Sequence, residues 1–240
     1  MPYWLRTLRD CVFPAGCEVC DAPLGVGHPA SLCAQCLETM RPLCPPLCGV
    51  CGVPLPLAAG IRCAGCTMHP PAFTTAHAAA LYLPAPAGAS ALAVAIQALK
   101  YRRRRIVAQT LGALLAERYP YGRDALLVPV PLHPHRLRER GFNQALLLAR
   151  ALGRRRGLPV ASRALVRRRA TRAQPGLAAP ERRRNLRDAF AVASPATVQS
   201  RHIVLVDDVL TTGATADACA RALVAAGAKR IDVYTVGRAP

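Results

Sequence analysis

Short apolar runs separated by polar segments predict the strands of a buried sheet. Residues 125–130 and 203–206 are apolar and rich in leucine or β-branched side chains, as is typical of strands buried on both faces of a parallel sheet. Further strands are expected over residues 78–83 and 231–236. Residues 214–226 predict a helix that Gly227 would end. The succession of strands and helices predicts an α/β fold.

Two acids and a small polar loop follow the apolar run at residues 203–206. Asp207 and Asp208 end the run, and hydroxyls and a glycine then lead into the predicted helix. At the carboxyl end of a parallel strand, such residues line a ligand-binding crevice. Helix N-terminal N–H groups and threonine hydroxyls bind anions, whereas carboxylates accept hydrogen bonds from sugar hydroxyls or bind Mg²⁺. A ribose 5-phosphate unit satisfies both halves. The loop residues are Thr211, Thr212, Gly213, Ala214 and Thr215.

An apolar strand ending in two acids is also typical of the Walker B element of nucleoside triphosphatases. That class requires a G-x-x-x-x-G-K-[ST] loop. The two lysines of the chain, Lys100 and Lys229, do not follow the required glycines, so we exclude this class. A buried strand and capped helix without a ligand is the other alternative. It leaves unexplained why two adjacent carboxylates, which are costly to bury, stand at a strand end.

The segment from Asp207 to Thr215 resembles the phosphoribosyl-pyrophosphate (PRPP) signature of type I phosphoribosyltransferases. The resemblance implies that Asp207 and Asp208 contact the ribose hydroxyls and act in catalysis, and that the loop holds the 5-phosphate. It also implies Mg²⁺ bound together with PRPP. In that family, the loop after an earlier strand binds the pyrophosphate. His133 and Arg136 are the candidates for this role here, and Lys100 is a further candidate for a phosphate contact.

Ten of the eleven cysteines lie before residue 67, and eight of them form four C-x-x-C pairs. Two such pairs complete a tetrahedral Zn²⁺ site, so we predict two structural zinc sites. Joining neighbouring pairs is the simplest assignment, although interleaved pairing and substitution by His28 or His69 stay open. A disulfide framework is the alternative, which a reducing cytosol disfavours. The predicted ligands are Cys17, Cys20, Cys33, Cys36, Cys48, Cys51, Cys63 and Cys66.

The whole chain is similar to the ComF family of proteins linked to competence. The resemblance rests on the cysteine module, V-P-V-P-L-H at 128–133, R-G-F-N-Q at 140–144 and the PRPP motif. It implies a double zinc-ribbon module over residues 14–70 and a domain of type I phosphoribosyltransferase fold over 71–240. It further implies a role in DNA uptake during natural transformation, with a competence helicase as a candidate partner. An active phosphoribosyltransferase of nucleotide metabolism with an unidentified acceptor is the alternative.

The net charge of +19 rests almost wholly on arginine. A basic surface favours polyanions, and single-stranded DNA is the candidate. The abundance of alanine, arginine and proline offers a purely compositional explanation, because GC-rich coding sequences favour these residues. Residues 77–97 lack charged side chains but are interrupted by Pro84 and Pro86, so a membrane span is not expected. We predict a cytoplasmic protein.

Overall fold

A computed structural model describes residues 16–25, 30–57, 60–84, 90–169, 186 and 188–240. These ranges contain helices and strands that we number along the chain. The helices are α1 (Ala34–Glu38), α2 (Ala64–Met68), α3 (Ala91–Lys100), α4 (Val107–Glu117), α5 (Pro134–Arg140), α6 (Gln144–Arg156) and α7 (Ala214–Ala225). The strands are β1 (Thr75–Leu81), β2 (Leu126–Pro129), β3 (Leu165–Arg167), β4 (Phe190–Val192), β5 (His202–Leu210) and β6 (Arg230–Arg238).

Four strands form a parallel sheet in the order β1-β6-β5-β2. Strands β3 and β4 form a separate antiparallel pair. The parallel order places the carboxyl ends of β2, β5 and β6 at one edge, where ligands bind in open α/β sheets. The predicted fold class is confirmed: a parallel sheet flanked by helices follows an N-terminal cysteine-rich module.

The two central strands extend further than the apolar runs predicted. Strand β5 continues through both acids to Leu210, and β6 continues to Arg238. The two strands remain paired along this extension, with Asp207 opposite Thr235 and Val209 opposite Gly237. Backbone pairing with an equally long neighbour therefore carries the strand past the apolar stretch. Strand β1 is also displaced from its predicted bounds and covers Thr75–Leu81.

Hydrophobic side chains cover both faces of the sheet. Leu92, Leu111 and Leu148 of α3, α4 and α6 pack with Val204 and Val206 on one face. Cys219 and Leu223 of α7 pack with Ile203, Leu205 and Val233 on the other. This alternation along β5 directs consecutive side chains to opposite faces. Within the described ranges, none of the helices has both the length and the apolar character that a membrane span requires.

The cysteine-rich module packs directly against the sheet domain. Leu24, Leu32 and Met40 belong to the same hydrophobic cluster as α4 and β1. Backbone hydrogen bonds join the two parts, from Ala76 N–H to the Val50 carbonyl at 2.7 Å and from Leu81 N–H to the Arg41 carbonyl at 3.1 Å. The Arg118 guanidinium adds bonds to the carbonyls of Met40 and Ala79, at 3.1 and 2.7 Å. The module and the sheet therefore share one core.

Candidate functional site

Asp207 and Asp208, the acid pair, lie in the carboxyl-terminal half of β5 and differ in their surroundings. Asp208 is 4% exposed, whereas Asp207 is partly exposed. The Asp208 backbone N–H donates to Asp207 Oδ1 at 2.8 Å. Burial and the neighbouring Asp208 carboxylate raise the pKa of Asp207 to about 7, against the opposing effect of Lys100. Asp207 can therefore exchange a proton near neutral pH.

Lys100, the last residue of α3, forms an ion pair with Asp208. Its Nζ lies 2.9 Å from Asp208 Oδ2, and the side chains are 21% and 6% exposed. Burial lowers the pKa of Lys100, but the Asp208 carboxylate outweighs it, so that the pKa lies above its ordinary value. The lysine predicted to contact phosphate thus lies in the site, and its ammonium group faces an acid.

Residues 211–215, the threonine loop, turn the chain from β5 into α7. Gly213 has φ 76°, in the left-handed region that glycine adopts without strain, and it precedes the first residue of α7. Thr212 Oγ1 accepts a hydrogen bond from Ala214 N–H at 3.5 Å. Thr211 and Thr212 are exposed. The N-terminal N–H groups of a helix of this length attract anions, and here they lie next to the acid pair.

A basic cleft of about 350 Å³ opens beside Lys100. The predicted residue Arg136 lies in it, whereas His133 caps the N-terminus of α5 by accepting from His135 N–H at 3.2 Å. Desolvation and the surrounding cations, Arg167 foremost, lower the pKa of His133. The electrostatic field at this end of β2 therefore favours an anion. The cleft is lined by Lys100, Tyr101, Arg103, Arg136, Glu139 and Arg140.

The eight paired cysteines gather into two clusters. The first cysteine cluster comprises Cys17, Cys20, Cys33 and Cys36, and the second comprises Cys48, Cys51, Cys63 and Cys66. In each, the sulfur atoms lie within 4.8 Å of one another. Neighbouring pairs are thus brought together, and interleaved pairing is not observed in this part of the structure. His28 lies outside the described residues.

The geometry of both clusters fits a tetrahedral zinc ion. The Cys20 and Cys33 sulfurs are 3.8 Å apart, and those of Cys51 and Cys63 are 3.7 Å apart. Zinc–sulfur bonds of about 2.3 Å in a tetrahedron place the sulfurs about 3.8 Å apart. The described cysteines form no disulfide. The donor sets suggest structural zinc, because four sulfurs leave no open position for a substrate.

Backbone N–H groups favour the thiolate form of one cysteine in each cluster. Cys17 Sγ accepts from Cys33 N–H, and Cys48 Sγ accepts from Cys63 N–H, both at 3.3 Å. Burial opposes ionisation, but these and neighbouring backbone hydrogen bonds lower the pKa of Cys17 and that of Cys48 to about 6. A thiolate is the form that binds zinc.

Known proteins resemble both the cysteine-rich module and nearly the whole chain. Residues 8–67 match the family model of the double zinc ribbon domain. DNA utilization protein YhgH of Escherichia coli (strain K12) is 36% identical over 234 residues, which cover 94% of this chain and 97% of that protein. Competence protein F of Haemophilus influenzae is 32% identical over 219 residues, covering 87% and 90%. This chain belongs to the ComF family.

Two solved structures overlap with parts of this ComF-family chain. Glutamine PRPP amidotransferase from B. subtilis, complexed with ADP and GMP, matches with a TM-score of 0.37 and 20% identity, covering 52% of this chain and 25% of that chain. The allosteric regulatory enzyme of purine biosynthesis matches with a TM-score of 0.40 and 19% identity, covering 58% and 29%.

The R-G-F-N-Q motif of the ComF-family chain connects α5 to α6. Gly141 ends α5 in the left-handed conformation, with φ 79°. Asn143 caps α6 by accepting from Ala145 N–H at 2.9 Å and also donates to the Val130 carbonyl at 3.0 Å. Gln144 Oε1 accepts from Arg140 at 2.6 Å. These contacts fix the basic helix α5 against the end of β2.

The sequence did not single out Arg238, which the structure places beside the threonine loop. This arginine is 6% exposed and ends β6. Its Nη1 donates to the carbonyls of Leu210 and Thr211 at 3.1 and 2.9 Å. A charged residue at the carboxyl end of a strand that is buried from Ile231 onward is the signal that could have identified it.

Proposed function

We propose that this protein binds a ribose 5-phosphate group, such as that of PRPP, on the acid pair and the threonine loop. The observation that carries the proposal is their adjacency at the carboxyl end of β5. A partly exposed carboxylate, Asp207, precedes a glycine turn into the N-terminus of α7. The carboxylate suits a vicinal diol, and the helix N-terminus suits a phosphate.

The Lys100–Asp208 ion pair reduces the negative charge that the acid pair offers to Mg²⁺. Because Lys100 Nζ lies 2.9 Å from Asp208 Oδ2, the acid pair keeps little negative charge for a resident cation. We therefore propose that Mg²⁺ arrives as the counter-ion of PRPP. The residues that would face it are Asp207 and Asp208, and the ion would offset the charge of the diphosphate.

The basic cleft is the proposed location of the diphosphate. Arg136 lines the cleft, and after desolvation the surrounding cations, Arg167 foremost and Arg136 among them, lower the pKa of His133. Lys100 connects the cleft to the acid pair. A guanidinium group offers paired donors that match phosphate oxygens.

The proposed biological role is the handling of DNA taken up during natural transformation. Its support is the whole-length similarity to DNA utilization protein YhgH and Competence protein F. We also propose a cytoplasmic location, where a reducing environment keeps the cysteines of both clusters available to zinc. A competence helicase is the proposed protein partner. Exposed apolar side chains on the second ribbon support a protein contact there, namely Leu57, Ile61 and Met68.

Single-stranded DNA is the proposed nucleic-acid partner, and the rim of the basic cleft is its proposed binding surface. Tyr101 is 74% exposed, with the Arg140 guanidinium 5.7 Å from its ring centre. An exposed aromatic ring among arginines is the pattern that stacks unpaired bases. Three of the four residues 102–105 also contact the protein itself: Arg103 the Glu139 carbonyl, Arg104 the Glu18 carboxylate and Arg105 the Gly141 carbonyl.

Replacing Tyr101 by alanine tests the DNA surface. Loss of one stacked base costs about 1–3 kcal/mol, so we expect Tyr101→Ala to bind an oligothymidine about 5- to 150-fold more weakly in a fluorescence titration. Arg136→Ala should also lower the steepness of the salt dependence, because one phosphate contact is lost. Arg201→Ala serves as the control, because it removes one positive charge, as Arg136→Ala does, but at the opposite end of the sheet. Equal affinities of the Tyr101→Ala, Arg201→Ala and wild-type proteins would remove this surface from the proposal.

A phosphoribosyltransferase is the second candidate function. The cationic cleft beside the acid pair favours it, because it offers a place for the leaving diphosphate. In this reaction an acceptor lone pair forms a bond to ribose C1 while the C1–O bond breaks, and pyrophosphate leaves with the bonding electrons. The acid pair would stabilise the positive charge that develops on the ribose. Release of pyrophosphate from PRPP in the presence of an acceptor distinguishes the enzyme from a binding protein.

The experiment that tests the ribose-phosphate site is a titration with PRPP and Mg²⁺. We expect the wild-type protein to bind and Asp207→Asn combined with Asp208→Asn to lose binding. The same affinity in both proteins would contradict the proposed site.

A further inference from the structure

The buried Arg238 side chain joins the second cysteine cluster to the threonine loop. Its Nε donates to the Cys51 carbonyl at 2.9 Å, and its Nη2 lies 3.6 Å from Cys51 Sγ. Its Nη1 donates to the carbonyls of Leu210, Thr211 and Ala239. The two sites also share a cavity of about 530 Å³, lined on one side by Cys51, Cys63 and Cys66 and on the other by residues 210–214.

The charge of Arg238 needs an anionic partner. Among the described residues, no carboxylate lies within ion-pair distance of its guanidinium group. A buried cation without a counter-charge is costly. Four thiolates around one Zn²⁺ keep an excess of negative charge, and Cys51 Sγ is the sulfur next to Arg238. A zinc-filled second cluster therefore supplies the counter-charge.

The hydrogen bonds from Arg238 also fix the direction of the loop donors. In a trans peptide the N–H points opposite to the C=O of the same unit. Because Arg238 holds the carbonyls of Leu210 and Thr211, the N–H groups of Thr211 and Thr212 point away from Arg238. Donors oriented in advance bind an anion without an additional ordering cost.

We propose that Arg238 is a positioning residue that couples zinc binding at the second cysteine cluster to phosphate binding at the threonine loop. The proposal rests on the proposed function, since it assumes that the loop binds phosphate. Zinc at the second cluster holds Arg238, and Arg238 holds the loop carbonyls. Because coupling between two binding sites is reciprocal, a ligand on the loop also stabilises zinc at the second cluster.

The first cysteine cluster contacts other parts of the chain and serves as an internal comparison. Ser31 lies between the two cysteine pairs of this cluster, and its N–H donates to Thr110 Oγ1 of α4 at 3.0 Å. Glu18, beside Cys17, pairs with Arg104 at 3.3 Å. Neither contact reaches the threonine loop. Zinc at the first cluster should therefore be independent of the phosphate ligand.

The matched variants for a test are Arg238→Met and Arg118→Met. Both remove a guanidinium group that joins the cysteine-rich module to the sheet, but Arg118 donates to Met40 and Ala79 and not to the loop. In calorimetric titrations of the full chain with PRPP and Mg²⁺, we expect Arg238→Met to bind at least about tenfold more weakly, because the loop donors are then no longer oriented before the ligand binds. Arg118→Met should bind as the wild type does.

The second readout is the chelator-induced exposure of cysteines, which alkylation and mass spectrometry resolve site by site. In the wild-type protein, PRPP with Mg²⁺ should protect Cys51 and Cys63 from alkylation and leave Cys20 and Cys33 unchanged. Arg238→Met should abolish this protection. If Arg238→Met does not fold, the protection measured on the wild type alone still tests the coupling.

The outcomes separate the two proposals. If the wild type does not bind PRPP, the proposed function fails, and the coupling fails with it. If the wild type binds PRPP but a folded Arg238→Met binds equally, only the coupling is overturned. Equal protection of both clusters, or of neither, by PRPP in the wild type would also overturn it.

Discussion

Asp207 and Asp208 are neighbours in the chain but carry different electrostatic properties. Asp208 is buried and faces Lys100, whereas Asp207 is partly exposed and has a pKa raised to about 7. The sequence predicted both acids at the site, because two carboxylates at the end of an apolar run have few structural explanations. It could not predict their difference, which arises from the distant residue Lys100 and from the opposite faces of β5.

The raised pKa of Asp207 predicts a pH dependence of PRPP binding. The ionised carboxylate accepts hydrogen bonds on both oxygens, whereas the protonated group uses one oxygen as an O–H donor and has lost its charge. Protonation of Asp207 as the pH falls through about 7 should therefore weaken binding, by up to about tenfold per pH unit below the pKa. The measurement is a series of calorimetric titrations from pH 6 to 8.

The phosphate of the ligand also titrates, with a second pKa of about 6, so a variant is needed as a control. In Asp207→Asn the pH profile between 7 and 8 should be flat and the affinity lower throughout. A wild-type profile identical in shape to that of Asp207→Asn would show that Asp207 does not carry the effect.

At the level of elements, the sequence predicted which segments form the central strands and the helix after the threonine loop. It missed helix α5, because the density of charge between residues 135 and 140 indicated a loop. Residues typical of the beginning and the end of a helix are nonetheless present in this segment. Pro134 occupies the first turn of α5 and Gly141 ends the helix in the left-handed conformation. The ends of β5 and β6 depend on the pairing between these strands, which a local pattern does not contain.

Asn143 is the residue on which the position of α5 and α6 relative to β2 depends. It caps α6 and bonds the Val130 carbonyl. We expect Asn143→Ala to lower the free energy of unfolding by about 1–3 kcal/mol, because a cap and a partly buried hydrogen bond are both lost. Urea denaturation followed by circular dichroism measures this change. Asn143→Ser keeps a capping oxygen and should recover part of the loss. A stability of Asn143→Ala equal to that of the wild type would contradict the role assigned to the motif.

For the whole molecule, the C-x-x-C spacing and the resemblance to the ComF family predicted a cysteine-rich module followed by a sheet domain. The structure adds that Leu24, Leu32 and Met40 are part of a core that also contains α4 and the central strands. Contacts between such distant segments have no local signature in the sequence. The same is true of Arg238, whose partners include Cys51 and Thr211, which are separated by most of the chain. The two cysteine clusters and the threonine loop are therefore parts of one structural unit.

The central claim is that Asp207 and Asp208 form a ribose-phosphate site together with residues 211–215. Calorimetric titration of the zinc-loaded protein with PRPP and Mg²⁺ tests it most directly. Asp124→Asn is the matched control, because this exposed acid lies at the opposite end of the sheet, before β2. We predict that the wild type and Asp124→Asn bind with equal affinity and that Asp207→Asn with Asp208→Asn binds about a hundredfold more weakly or not at all. Equal affinity of all three folded proteins, or no binding by the wild type, would contradict the claim.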